Sequence, residues 1–288
     1  MNNNLQNKIE QGFQSLMSIA KVILLSRIKT KLPRGKTNEC IILANGPSLR
    51  KTLNEKLDFI VRGDKEIFAV NYFINSPFYE KVKPAYYVLN APEFWIDTTT
   101  DMHKQNRKKL FTDLIAKTTW DMKIFVPFEA GKTELWKNLF DENRHLSVVY
   151  YNKTPVEGLQ SVSNFLFKLN LGMPRPYNVL VPAIFLALNM GFKTIYLFGA
   201  DHSWHEEIKV DENNNVLVNH EHFYDNSKQV KPMYHLDGKE YYIHDIFRKL
   251  HLAFKGYFVL KEYAKTLDAK ILNASEKSYI DAFEKIKI

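Results

Sequence analysis

Short, wholly apolar runs separated by polar or helical stretches set the rhythm of this chain. Ile41-Ile42-Leu43-Ala44, Ile67-Phe68-Ala69-Val70 and Ala85-Tyr86-Tyr87-Val88-Leu89 each stop at a polar or turn-forming residue. Met122 to Val126, Leu146 to Tyr150 and Thr194 to Gly199 repeat the pattern. Apolar runs of this length suit strands buried on both faces, as in a parallel sheet. A helical pattern over Asn178 to Met190 ends at Gly191, a residue suited to closing a helix. A longer one runs from Asp245 to Leu267, with Phe247, Leu250, Phe254, Tyr257, Leu260 and Tyr263 in step. Ala269 to Asn273 reads as a last strand and Ser278 to Ile286 as a closing helix. The alternation predicts an α/β fold, a doubly wound and mainly parallel Rossmann-like sheet covered on both faces.

Two segments depart from that rhythm. Residues 203–241 are polar and rich in His, Asn, Tyr and Lys, which predicts an irregular lid. At the start, Leu5, Ile9, Phe13, Leu16, Met17, Ala20, Ile23 and Leu24 recur at helical spacing. Lys8, Lys21, Arg27, Lys29, Lys31, Arg34 and Lys36 oppose only Glu10 before residue 38. Its most apolar stretch, Leu16 to Leu25, is too short to span a bilayer. Its charge also follows the apolar part, unlike a signal peptide. Two readings stay open: peripheral contact with an anionic leaflet through residues 5–31, or packing on the domain or on a second copy in a homo-oligomer. The expected organisation is a basic amphipathic helix and linker over 1–38, then one domain over 39–288 with its lid at about 203–241.

At 288 residues and 45% hydrophobic content, the chain can bury a core without staples. Cys40 is the only cysteine, so an intrachain disulfide and a cysteine metal site are excluded. It opens an apolar run, which makes it a core residue, and a reducing, cytoplasmic setting fits. A net charge of +8 favours an anionic partner. With no arginine-rich recognition helix, zinc-finger spacing or aromatic RNA-binding signature, nucleic acid is not expected.

Four candidate sites fall at carboxyl ends of the expected strands, where open α/β sheets bind ligands. In Ala44-Asn45-Gly46-Pro47-Ser48-Leu49, Gly46 permits close backbone approach and Pro47 suits a first helical position. Backbone N–H groups and the Ser48 hydroxyl would then face an anion. Asn71 and Asn90 follow the next two strands, and an asparagine amide offers donors and an acceptor together, suiting a base edge or ribose hydroxyls. Gly199-Ala200-Asp201-His202-Ser203-Trp204 is the fourth, with Asp201 placed to bind a ribose hydroxyl, to orient a catalytic group or simply to cap a turn.

These motifs resemble those of the bacterial sialyltransferases of glycosyltransferase family 42 and of the wider Rossmann-like group that includes MptE-like pterin pyrophosphokinases. The sialyltransferase motif Asn-Gly-Pro-Ser stands here as Asn45 to Ser48. Val70-Asn71-Tyr72-Phe73 compares with Cys-Asn-Gln-Phe, and Leu89-Asn90-Ala91-Pro92 with Tyr-Asn-Pro-Ser. Gly191 to Asp201 follows Gly-Tyr-Lys-Glu-Ile-Tyr-Leu-Ser-Gly-Ile-Asp closely, and Arg175-Pro176-Tyr177-Asn178 follows Arg-x-x-Ser loosely. The resemblance spans roughly residues 39–283. It implies a GT-A-like variant of the fold and a CMP-sugar as co-substrate, with no further cofactor. It also implies donor contacts from Asn45, Gly46, Ser48, Asn71, Asn90, Asn178 and Asp201.

The resemblance further implies a histidine base ahead of the last long helix, a place for which His251 and His244 compete. Tyrosines after the Asp support the departing phosphate in that family. Ser203 and Trp204 stand there instead, with Tyr224 as the stand-in. The implied acceptor is a hydroxyl of a surface glycan or glycolipid. The chain carries no Asp-x-Asp to hold a divalent cation, so Arg175, Tyr224 and the Ser48 turn would stabilise the leaving phosphate. His202, His205, His220 and His222, with Asp201 and Glu206, could bind a metal but match no standard metal-ligand spacing; a solvated lid and contacts to the acceptor are the other readings. The rival readings are a Mg-ATP-dependent pyrophosphokinase and a non-catalytic nucleotide-binding module.

Overall fold

The computed structural model describes residues 2–136, 138–219, 230–232 and 241–288. The main sheet contains β1 (Glu39–Leu43), β2 (Glu66–Val70), β3 (Tyr86–Val88), β4 (Met122–Pro127), β5 (Leu146–Tyr151) and β6 (Thr194–Phe198). A small second sheet follows, made of β7 (Ile208–Val210), β8 (Val216–Asn219) and β9 (Val230–Pro232), before β10 (Lys270–Asn273) and β11 (Glu284–Lys285) complete the first. The helices are α1 (Asn2–Leu25), α2 (Ser48–Glu55), α3 (Leu57–Val61), α4 (Tyr79–Val82), α5 (Asp101–Lys117), α6 (Gln160–Lys168), α7 (Leu180–Asn189) and α8 (Ile243–Thr266).

The eight strands of the main sheet run parallel in the order β11-β10-β6-β1-β2-β3-β4-β5. The chain winds outward from β1 to β5, then returns to the other side of β1 with β6. That reversal leaves a crevice at the carboxyl ends of β1 and β6. The apolar runs are continuous because both faces are covered. Cys40 and Ile42 pack in one core cluster with Ile184 of α7 and Tyr257 of α8. Ile41 and Leu43 point the other way, to Leu49 and Leu53 of α2 and Leu110 and Leu114 of α5. Burial raises the pKa of the Cys40 thiol well above its ordinary value, which keeps it protonated and inert.

From Leu180 to Leu188, α7 is buried all round. Pro182 is tolerated there because it lies in the first turn, where no intrahelical N–H bond is due. Gly191, at φ +95°, closes the helix as expected.

Two expectations are corrected. Ser278–Ile286 is not a helix. The Tyr279 N–H donates to the Asp201 carbonyl at 2.9 Å, and the Ser278 hydroxyl to that of Ala200 at 2.6 Å. Ile280 and Phe283 still reach the core, and Glu284–Lys285 pairs with β10 at the sheet edge. Their i, i+3 spacing mimics a helix while serving an extended chain. The stretch 203–241 is also not simply irregular. After a 3-10 turn over Trp204–Glu207 it forms the antiparallel β7-β8-β9 sheet, in which the Asp211 carboxylate accepts the Asn213 and Asn215 N–H groups to shape the β7–β8 turn.

The first helix packs on its own domain, through a narrow polar seam. Ser18 Oγ donates to the Glu157 carbonyl and accepts the Glu157 N–H, both at 2.9 Å. Ser15 Oγ accepts the Leu159 N–H at 2.8 Å. Among its described side chains, Val22 alone enters the main core. Just beyond it, the Asn152 amide holds both backbone groups of Arg27, at 2.9 and 2.8 Å. No helix among the described residues is long and apolar enough to cross a membrane.

Gly158 makes the seam possible, since at φ +114° an added Cβ would stand 2.3 Å from Ser15 Oγ. Gly158→Ala should loosen the helix at a cost of roughly 1–3 kcal/mol. Limited proteolysis should then cut faster within residues 26–38, and an unchanged cleavage rate would count against this docking.

Candidate functional site

The carboxyl ends of β1, β2, β3 and β6 open onto a cavity of about 640 Å³. Asn45, Gly46, Asn71, Asn90, Lys153, Tyr177, Asn178, Asp201, His202 and Trp204 line it. The four strand-end motifs therefore meet at one place, at the crevice that the strand order creates.

The turn after β1 is locked to the turn after β6. The Gly46 N–H donates to the Gly199 carbonyl at 2.9 Å, and a Cβ on Gly46 would lie 2.5 Å from that oxygen and 2.6 Å from the Asp201 carboxylate. Asp201 accepts the Ser48 N–H at 2.8 Å and the Ser48 hydroxyl at 2.5 Å. The anion at the start of α2 is thus a side chain of this chain. Both Ser48 donors expected to face a ligand are turned to Asp201, and that is a correction to their reading. Burial raises the Asp201 pKa, opposed by the two Ser48 hydrogen bonds.

The asparagines divide by what their amides already hold. Both polar atoms of Asn90 already have a partner: Nδ2 donates to the Pro176 carbonyl at 3.2 Å, and Oδ1 accepts from the Tyr151 hydroxyl at 3.1 Å, a proton shared with the Leu89 carbonyl. It shapes the cavity wall. Asn45 donates through Nδ2 to the Val70 carbonyl at 3.1 Å, and its Oδ1 is buried without a partner. Asn71 Oδ1 is likewise buried and unpartnered, on a residue held at φ +47°. Asn178 Oδ1 accepts the Leu180 and Val181 N–H groups opening α7 and the Tyr257 hydroxyl, which fixes the amide orientation and leaves Nδ2 unpartnered. Of four such orphaned atoms among the described residues, three belong to these cavity-lining asparagines. Unmet buried groups are costly, so a set concentrated on one cavity marks a place for a polar ligand.

His202 stands beside them. Its Nε2 is hydrogen-bonded to the Tyr257 hydroxyl. Because that hydroxyl donates to Asn178 Oδ1 at 3.1 Å, the ring must donate in turn, so Nε2 carries the proton and Nδ1 the lone pair. Burial lowers the His202 pKa from 6.5 to about 3, and the ring is neutral at physiological pH. Its backbone is left-handed, φ +54°, and the ring lies 4.3 Å from that of Trp204.

His202 stands in a motif and a histidine cluster legible in the sequence, whereas Lys153 is not singled out there. It follows β5, lines the cavity and lies 4.6 Å over the Trp95 ring. Burial lowers its pKa, so its ammonium is poorly hydrated and suited to an anion. One lysine past a strand has no sequence signature, and only the topology brings it to the crevice.

Three expected participants are placed elsewhere. Arg175 lines a neighbouring cavity and is held by Glu157, through Nη2 to Oε2 and through Nε to Oε1 at 3.2 Å. Its donors are therefore directed at a carboxylate of this chain. His244 and His251 are exposed on α8, His244 stacking on Tyr242 with rings 5.8 Å apart. Tyr224, His220 and His222 lie outside the described residues. His205 packs edge-on against Tyr279, and among the described residues no three His, Cys, Asp or Glu side chains gather at one point.

No family model matches the chain, and neither does any curated protein. Among solved structures, it is similar to the MAf glycosyltransferase from Magnetospirillum magneticum AMB-1, at a TM-score of 0.51 and 13% identity. The chain has a glycosyltransferase-like fold. The match takes in 95% of this chain but 38% of that protein, so the chain spans under two fifths of its neighbour's length. At this identity the likeness carries the glycosyltransferase-like architecture, and the site must be argued from its own residues.

His202 gives an acid-side signature. Its folded pKa lies below its unfolded value, so its contribution is full above pH 6.5 and is lost as pH falls toward about 3. Between pH 7.5 and 5 the protein should lose about 2 kcal/mol that His202→Gln does not lose. Urea denaturation at the two pH values measures this, and equal losses would mean that the ring is not held neutral.

Proposed function

We propose that the chain is a glycosyltransferase that binds a nucleotide-activated sugar in the β1–β6 cavity. The donor we favour is a CMP-sugar carrying sialic acid or a related residue, and the acceptor is a hydroxyl of a surface glycan or glycolipid. The observation that carries the reading is the set of unpartnered amides on Asn45, Asn71 and Asn178 around one cavity at the sheet's reversal point. Two acceptors and one donor, fixed in space, suit a base edge and ribose hydroxyls. The glycosyltransferase-like fold supports the reaction class.

The chemistry follows from what lines the cavity. The acceptor hydroxyl attacks the anomeric carbon as its proton passes to His202 Nδ1, and the bond from that carbon to the phosphate oxygen breaks. CMP leaves with the electron pair, its charge met by Lys153. The imidazolium formed is stabilised by the donor phosphate now in the same cavity, which offsets the burial that keeps the free ring neutral. Tyr257 and Asn178 hold the ring in the tautomer that presents a lone pair. Of the two lysines lining the cavity, Lys277 is paired with Glu206 at 2.5 Å, which leaves Lys153 for the ligand. With no cluster of three His, Cys, Asp or Glu side chains among the described residues, a single phosphate suits this site. A Mg-ATP pyrophosphokinase would need gathered carboxylates, and Asp201 is engaged by Ser48.

Isothermal titration with CMP, cytidine, UDP, GDP and Mg-ATP tests this. CMP should bind, and Asn71→Gly, which tolerates φ +47°, should weaken it roughly tenfold without lowering the melting temperature. Lys153→Met should weaken CMP but leave cytidine unchanged. Binding of ATP alone, and only with magnesium, would replace this reading with phosphoryl transfer.

His202→Gln should retain CMP binding yet slow sugar transfer by roughly 10²–10⁴-fold. An undiminished rate would exclude it as the base and return attention to His244 and His251.

A further inference from the structure

The polar seam of α1 leaves the greater part of that helix facing away from the domain. Its packed residues, Ser15, Ser18 and Val22, occupy one narrow stripe. At 3.6 residues per turn, Leu5, Ile9, Phe13, Leu16, Ala20 and Ile23 fall on the opposite side. All of these are exposed; Leu16 is 68% exposed, Ile23 75% and Leu24 81%. A soluble domain does not ordinarily present a continuous apolar face over about five turns of helix. Lys8 and Lys21 flank this face on either side, and Arg27, Lys29, Lys31, Arg34 and Lys36 follow it, all five exposed.

We propose that α1 and the segment after it form a monotopic docking surface for an anionic lipid bilayer, the helix lying in the plane of the interface. An apolar face flanked by cations matches acyl chains below and anionic headgroups around them. Charge decides against a second copy of the chain as occupant. Residues 1–37 hold seven cations and Glu10 as the one acid, so face-to-face association would oppose like charges. The seam orients the surface: with Ser15 and Ser18 bonded to the 157–159 backbone, the apolar face must turn outward. None of this depends on what the cavity binds.

Full-length protein is mixed with vesicles of phosphatidylcholine alone, or of equal parts phosphatidylcholine and phosphatidylglycerol, and floated on a density gradient. The protein should rise with the anionic vesicles, be released by high salt, and stay below with the neutral ones. The double variant Leu16→Glu/Ile23→Glu, and separately Lys29→Glu/Lys31→Glu, should reduce flotation roughly tenfold or more. Neither should change the melting temperature, because the altered side chains are exposed. Absence of flotation with anionic vesicles would overturn the proposal, as would equal flotation of Leu16→Glu/Ile23→Glu. A dimer in sedimentation velocity that this variant abolishes, without vesicle binding, would assign the face to a second copy instead.

Discussion

The Asp201 carboxylate joins two chain reversals at the centre of the sheet, and much of the site depends on that contact. It takes both donors of Ser48 at the start of α2, where the helix dipole favours a negative charge. For the carboxylate to reach them, the turns after β1 and β6 must touch, and only a residue without a Cβ fits at Gly46. The next residue, His202, is then held left-handed, with its ring against Tyr257 of α8. Tyr257 reaches Asn178, which receives the first amides of α7. One run of hydrogen bonds thus passes from β1 to β6, then to α8 and α7. Losing the carboxylate would leave two half-buried donors without their partner, at a cost of up to about 1–3 kcal/mol each.

The division of labour among the polar residues follows from partnering. Asn90, Ser48, Asp201 and Arg175 are chemically as capable of holding a ligand as Asn45, Asn71 and Asn178. The first four already hold groups of this chain: the Pro176 carbonyl and Tyr151 hydroxyl, the Ser48–Asp201 pair itself, and Glu157. The last three keep an acceptor or a donor in reserve. Position at a strand end says that a residue borders the crevice, and hydrogen-bond accounting says whether it builds the crevice or serves what enters it.

Much of the architecture was legible in the sequence because a doubly covered parallel sheet writes itself as unbroken apolar runs. Each run from Ile41 to Phe198 became a strand, and Gly191 ended its helix where a left-handed residue was needed. Legibility failed where the period was ambiguous or the element short. Ile280 and Phe283 are spaced for a helix, yet the Asp201 carbonyl claims the Tyr279 N–H and the chain stays extended. The strands β7 and β8 are too short to alternate visibly. In α5 the exposed face carries so many lysines that its core residues Leu110, Phe111 and Leu114 do not stand out. The location of the cavity was readable from the strand-end motifs. Lys153 and His202 were not readable as a cation and a base, because burial, tautomer and topology, which no spacing encodes, give them those properties.

The attachment of α1 has a consequence for how this chain tolerates change. The seam is made of serine hydroxyls and backbone, and among the helix's described side chains Val22 alone lies in the main core. The domain's stability is therefore invested almost entirely in residues beyond the helix, and the outward side chains of the helix carry little of it. Substitutions on that face are decoupled from folding: selection can retune what the helix meets, or sequences can drift there, without disturbing the sheet or the crevice that it frames.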